Sequence, residues 1–276
     1  MSTIERFWLA CAPHPGSNVV QDSAFDLTAP TFERHRALPD GVAAAIRAAI
    51  LGAIETPSPR LLDLGAGTGR IGRTFVAAGD DYVGLDLSLA MLREFPHTAG
   101  VRLIQADGAA LPFADASFDA VMLIQVFGAM RRWRDVLAEA RRVLRPKGAL
   151  VVGRTIVPAD GIDAQMKQRL DAIVDESGAS AERLNARENA LRSLKHSARA
   201  TRIEAAAWIA ARTPRTFIDR HRTGARFAAL PARIKDEALS RLAAWATATF
   251  GSLDAASSER HAFELQMFRF DQEVGS

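Results

Sequence analysis

The chain has one cysteine, which rules out an internal disulfide framework. It has no His/Cys/carboxylate group at metal-ligand spacing, so no resident metal is expected. Long apolar runs are missing: none reaches the roughly 18 residues that a membrane-spanning helix takes. The first residues, MSTIERFWLACA, hold a short apolar patch, but Glu5 and Arg6 interrupt it and Pro13 ends it. That is not the pattern of a secretory leader. Together with the lone thiol it makes a reducing cytoplasm the expected setting. A charge excess is missing too. Net charge is +3 over 276 residues, with acidic and basic side chains interspersed and no Lys/Arg block to follow a phosphate backbone. The expected partner is a small molecule, with no nucleic acid and no membrane insertion.

What is present is the composition of an ordinary globular protein, 48% hydrophobic and 24% charged, in a chain long enough for a large core. After a polar lead-in, Val42, Ile46, Ile50 and Ile54 recur every fourth residue, one face of a helix that Pro57 and Pro59 close. From Arg60 short apolar runs alternate with helical ones. Strands are expected at Arg60–Leu64, Asp81–Leu85, Val101–Ala106, Phe118–Ile124 and Gly148–Gly153. Between them fall a helix to Ala78, one capped by Ser88, and one over Trp133–Leu144 stopped by Pro146. This is the signature of a parallel sheet covered on both faces. Beyond it the pattern is mostly helical. Asp160 is expected to cap a helix with Ile162, Met166, Leu170, Ile173 and Val174 on one face, and a second helix is expected from about Ala181 to Lys195. The alanine-rich run 200–212 is assigned to a sixth strand, helices are expected at Pro214–Arg222 and Pro231–Phe250, and HAFELQMFRF is expected to form a last strand. The expected divisions are an N-terminal helical cover (1–56), a core (57–156), a helical lid insertion (157–198), and the end of the sheet (199–276) with a helical insertion at about 214–250.

The stretch RLLDLGAGTGR, Arg60 to Arg70, carries the chemistry. A buried strand ends at Asp63 and runs into glycines at 65, 67 and 69, which let the backbone turn sharply and approach a ligand. Gly67, Gly69 and Gly72 match GxGxxG, and Asp86 follows Gly67 by 19 residues, so a dinucleotide is one reading. Three features favour a positively charged nucleoside. Asp63 would repel a pyrophosphate but suits a cation. Asp63, Asp86 and Asp107 stand at the ends of three successive strands, where open parallel sheets bind ligands. The chain then continues as DGAALPFADASFDAVM and LAEARRVLRPKGALVV.

These residues resemble the class I S-adenosylmethionine-dependent methyltransferases, most of all the small-molecule group that includes the ubiquinone and menaquinone C-methyltransferases. DLGAGTGR, GLDLS, QADGAALPFADASFDAV and EARRVLRPKGALVV follow that family's motifs in order. The resemblance covers roughly Phe25–Arg154. It implies an α/β, Rossmann-like, doubly wound seven-stranded sheet whose last strand is antiparallel, with helical lid insertions, and it implies S-adenosyl-L-methionine as cofactor. By position, Gly65, Ala66, Gly67 and Gly69 would pass close to the cofactor's amino-acid moiety, with Asp63 near the ammonium. Asp86, with Leu87 beside it, would accept from the ribose hydroxyls. Asp107 would accept from the adenine amino group and the Gly108 N–H would meet a ring nitrogen. A carboxylate suits each place, because it is a bidentate acceptor. FDLTAPTFERHR resembles the family's cover segment, with Phe32 in the aromatic place and Arg36 in the arginine place.

The acceptor side departs from that pattern. After strand four the run is IQVFGAMRRW, with Gly128 and Ala129 where the family often has histidines; the resemblance implies that Gln125 would lie beside the cofactor. Methyl transfer needs alignment first, and a general base only for a weakly acidic acceptor. No catalytic residue is therefore fixed, and His35, Gln125, Arg154 and His221 are the acceptor-side candidates. The expected activity is transfer of a methyl group to a small organic acceptor of secondary metabolism. The alternatives are a non-methyl reaction of the same cofactor, such as cyclisation, and a non-catalytic cofactor-binding protein.

Overall fold

Adjacent residues of a strand point to opposite faces, and here each apolar pair feeds two cores. The computed structural model describes residues 26, 29–96, 98, 100–127, 130, 132–178, 186–222 and 231–270. Seven strands, β1 (Leu61–Leu64), β2 (Tyr82–Asp86), β3 (Arg102–Gln105), β4 (Phe118–Ile124), β5 (Leu144–Ile156), β6 (Arg199–Arg212) and β7 (Ser257–Arg269), form one sheet in the order β3-β2-β1-β4-β5-β7-β6. The pairs from β3 to β5 are parallel, and β7 runs antiparallel to both β5 and β6.

Leu62, Leu64, Val121, Leu123, Leu150 and Val152 face one core, which α4 (Trp133–Val143) and α6 (Ala186–Ser197) cover with Val136, Ala140, Ala190 and Leu194. Leu61, Tyr82, Met122, Val151 and Phe263 face the other, under Ile46 and Ile50 of α1 (Val42–Ala53) and Phe75 of α2 (Gly72–Ala77). A third core belongs to α5 (Ile162–Glu176), α7 (Pro214–Arg222) and α8 (Ala232–Phe250), joined by Met166, Leu170, Phe217, Leu239 and Leu242. These three helices start beyond the carboxyl ends of β5 and β6. Among the described residues no helix is long and apolar enough to cross a membrane.

Several boundaries differ from the sequence reading. Helix α4 ends at Val143, and β5 begins at once, with Leu144 paired to Phe118. The chain turns at Lys147, whose φ is 67°, and regains register with Ala149 opposite Ala120. Pro146 therefore lies inside an irregular strand start, not at a helix stop. The run 200–212 is a strand despite its alanines, because pairing with β7 along its whole length outweighs a weak helical preference. The expected helix start at Ala181 lies outside the described residues; α6 is described from Ala186.

Asp160 does not cap α5. Gly161 holds the cap position in an extended conformation, with no side-chain cap of its own. The acceptor comes from 97 residues away: Glu259 Oε1 takes the Ile162 N–H at 2.6 Å. A Cβ on Gly161 would lie 2.6 Å from Glu259 Oε2, so glycine makes room for that carboxylate. Glu259→Ala would leave the buried Ile162 N–H and His261 short of an acceptor. It is expected to cost about 2 kcal/mol in urea denaturation, and Glu259→Gln, which keeps an acceptor, less.

Candidate functional site

Strand order reverses between β1 and β4, and it is at the carboxyl ends flanking such a reversal that open parallel sheets bind ligands. The glycine turn leaves β1 there. Gly65, Gly67 and Gly69 have φ of 84°, 55° and 78°, the left-handed region that other residues occupy only with strain. A Cβ on Gly65 would meet Val126 Cγ1 at 2.5 Å, because the turns after β1 and β4 pack directly against each other.

Three carboxylates stand at this edge. Asp63, at the end of β1, is buried; one oxygen accepts from the Tyr82 hydroxyl at 2.7 Å and the other, Oδ1, has no hydrogen-bond partner. Burial pushes its pKa up to about 7; the Tyr82 hydrogen bond opposes the rise and Asp86 adds to it. Asp86, at the end of β2, accepts Gly67 N–H at 2.9 Å on one oxygen and Ser88 N–H at 2.8 Å on the other. Burial raises its pKa, and these backbone donors work against that rise. A carboxylate has about four acceptor sites, so two remain for a diol. Asp107 follows β3 and is half-exposed; it accepts from Ala109 N–H at 2.9 Å and pairs with Arg132 at 3.1 Å. Ser88 caps the short helix α3 (Leu89–Arg93), its hydroxyl accepting from Met91 N–H at 3.1 Å.

A chain of arginines closes the edge over the glycine turn. The segment before α1 forms a 3-10 helix, Ala29–His35. Arg36 lies 4.4 Å over the Phe32 ring and donates to the carbonyls of Phe32 (3.1 Å) and Arg220 (3.0 Å), linking the N-terminal segment to α7. Burial, then the neighbouring charges of Arg70 and Arg220, lowers its pKa to about 10 against the opposing pull of Glu33. Arg70 donates to the Arg36 carbonyl at 2.8 Å and to the Gln125 amide oxygen. The Thr68 hydroxyl donates to Glu33. Gln125, with φ of 58°, turns the chain after β4 and donates to Thr155 Oγ1 at 2.7 Å.

Of the other acceptor-side candidates, Arg154 and His221 are engaged in contacts of their own. Arg154 pairs with Glu264 on the neighbouring strand at 3.3 Å. His221 lies in α7, stacked on Phe217 at 3.8 Å with Nδ1 2.9 Å from the Phe217 carbonyl oxygen. Burial, then the Arg220 charge, lowers its pKa to about 4, so it is neutral and a poor base at neutral pH. The side chain of His35, and Gly128 and Ala129, lie outside the described residues. Sequence reasoning missed Tyr82 and Arg70, and it missed the buried pairing of Asp163 in α5 with Arg212 at 3.3 Å and Arg220 at 2.9 Å. Tyr82 had a signal: a polar-tipped aromatic inside an otherwise apolar strand.

The described carboxylates and glycine turn suit a ligand with a diol and a cationic end. Among the described residues no group of three metal-ligating side chains occurs.

Residues 62–152 match the family model described as a methyltransferase domain. The chain is 41% identical over 106 residues to a demethylmenaquinone methyltransferase of Renibacterium salmoninarum, covering 38% of this chain and 45% of that protein. It is 38% identical over 123 residues to a malonyl-[acyl-carrier protein] O-methyltransferase of Methylococcus capsulatus, covering 40% and 45%. The chain thus spans less than half the length of these curated relatives. Among solved structures, the YcgJ protein of Bacillus subtilis superposes with a TM-score of 0.53 at 17% identity, over 83% of this chain and 99% of that one, a likeness of fold. Residues 62–152 are thus similar to a methyltransferase domain, and over 106 residues the chain resembles a demethylmenaquinone methyltransferase.

Proposed function

We propose that the protein is an S-adenosylmethionine-dependent methyltransferase acting on a small organic acceptor. The observation that carries this reading is the convergence of Asp63, Asp86 and Asp107 on one edge of the sheet, around a glycine turn inside the matched domain. Asp86 holds the ribose hydroxyls with its remaining acceptor sites, Asp107 the adenine amino group, and Asp63 the ammonium. Ala66, Leu87 and Gly108 line the cofactor, and Arg36 and Gln125 lie over it. The buried, unpartnered Oδ1 of Asp63 supports a cationic ligand. When bound, S-adenosylmethionine supplies an activated methyl group on a sulfonium.

The remaining work falls to the chain. The cover segment and the lid helices within 157–198 and 214–250 orient the acceptor and exclude water. The Arg36 bond to the Arg220 carbonyl ties these two coverings together. We place the protein in the cytoplasm on its single cysteine and apolar patterning.

Incubating the purified protein with methyl-labelled S-adenosylmethionine and a small-molecule extract is expected to move label into an organic product. Cofactor breakdown without labelled product, or binding with no consumption, would overturn methyl transfer.

A further inference from the structure

Tyr82 is the chain's only tyrosine. Its ring stacks on Phe75, centroids 5.8 Å apart, and leans on Phe95 at 6.2 Å, so the hydroxyl is held in one place. That hydroxyl donates to Asp63 Oδ2 at 2.7 Å. Gly72 makes the approach possible, since a Cβ there would lie 2.2 Å from the Tyr82 oxygen. The last glycine of the GxGxxG string thus serves this pair. Asp63 is 4% exposed and Tyr82 1%.

The neighbourhood of Asp63 holds little else that can compensate a charge. β4 sets Met122 and β2 sets Gly84 beside it in register, while Gly72, Phe75 and Phe95 pack around the tyrosine ring. The titratable groups acting on it are Tyr82 and Asp86, both on β2, and Asp86 has the same sign. No basic group among the described residues offsets it, and Oδ1 remains buried without a donor. A carboxyl so placed holds its proton into the neutral range, with a pKa of about 7.

We propose that Tyr82 is a positioning residue for Asp63, and that the cofactor's ammonium supplies the missing counter-charge at Oδ1 as Asp63 releases its proton to solvent. Binding and ionisation are then one linked step. This rests on the cofactor reading above. Affinity falls as acid protonates Asp63 in the free protein, by about 25-fold between pH 7.5 and pH 5.5 for a group titrating at about 7.

Titration calorimetry of the full chain tests it, with S-adenosylhomocysteine and with 5′-methylthioadenosine, which keeps the nucleoside and sulfur but lacks the amino-acid end. S-adenosylhomocysteine is expected to lose affinity in acid and to release a proton on binding near pH 6.5, while 5′-methylthioadenosine binds equally across the range. Tyr82→Phe keeps the packed ring and removes the donor that favours the carboxylate. Its affinity profile for S-adenosylhomocysteine should shift up by about one pH unit and recover towards the wild-type value in alkali. A merely structural hydroxyl would lower affinity equally at every pH. A flat wild-type profile without proton release overturns the proposal, as does an unshifted Tyr82→Phe profile. The wild-type profile and proton release suffice if that variant does not fold. Failure of both nucleosides to bind overturns the cofactor reading itself.

Discussion

Asp86→Ala is expected to lower affinity for S-adenosylhomocysteine by about 100-fold or more, measured by calorimetry at neutral pH. The proposed contacts are two charge-assisted hydrogen bonds to the ribose hydroxyls, each worth at least about 1.5 kcal/mol. Their loss alone corresponds to about 3 kcal/mol, hence about 100-fold. A second loss adds to it. The Asp86 carboxylate also takes the N–H groups of Gly67 and Ser88, so alanine loosens the glycine turn that faces the ligand. The sheet should survive, because the core contacts of Tyr82, Val83 and Leu85 are untouched. Asp86→Asn keeps one acceptor oxygen and should fall between the two. Unchanged affinity in Asp86→Ala, with the fold intact by circular dichroism, would remove Asp86 from the site.

Asp63→Asn is expected to move stability and binding in opposite directions. In the folded protein the Asp63 pKa is raised to about 7 from its ordinary 3.8, chiefly by burial. The folded state therefore keeps the proton where the unfolded chain has lost it. Below about pH 4 both states are protonated and the site costs nothing. As pH rises from about 4 to about 7 the wild type loses stability, and above that range the loss is constant. Asparagine has no such titration. Its advantage in urea denaturation should grow from near zero at pH 4 to on the order of 2–4 kcal/mol at pH 8 in the ligand-free protein. Affinity for S-adenosylhomocysteine should fall by roughly several hundred-fold at pH 8, since an amide cannot neutralise the buried ammonium and a buried charge left unpaired costs about 3–5 kcal/mol. A variant equally stable at both pH values would show that Asp63 is not a buried ionisable cost.

The alternation of strands and helices was legible because it is local. Apolar runs such as FDAVMLI and LVVG sit between glycines, prolines and caps that the backbone obeys without distant help, and β4 matches the sequence reading residue for residue. The glycine turn was legible for the same reason: Gly65, Gly67 and Gly69 occupy conformations that their lack of a Cβ announces. The cap of α5 was not. Asp160 had the right chemistry one residue too early, and the acceptor that serves the helix comes from β7. His221 and Arg154 were legible as polar residues beyond strand ends, but the Phe217 ring that stacks on one and Glu264 that pairs with the other are placed by packing.

The glycine string shows the division most sharply. By itself the sequence determined a tight turn after a buried strand, three acids at successive strand ends and a parallel sheet, because each follows from local backbone preference and residue spacing. Only the tertiary structure decided that Gly72 exists to admit a tyrosine hydroxyl, and that Asp63 carries one satisfied oxygen and one without a partner. Those facts depend on how β2 and α2 are brought against β1. A residue's desolvation and hydrogen-bond inventory are properties of its surroundings, and the surroundings are assembled from residues that local pattern does not connect.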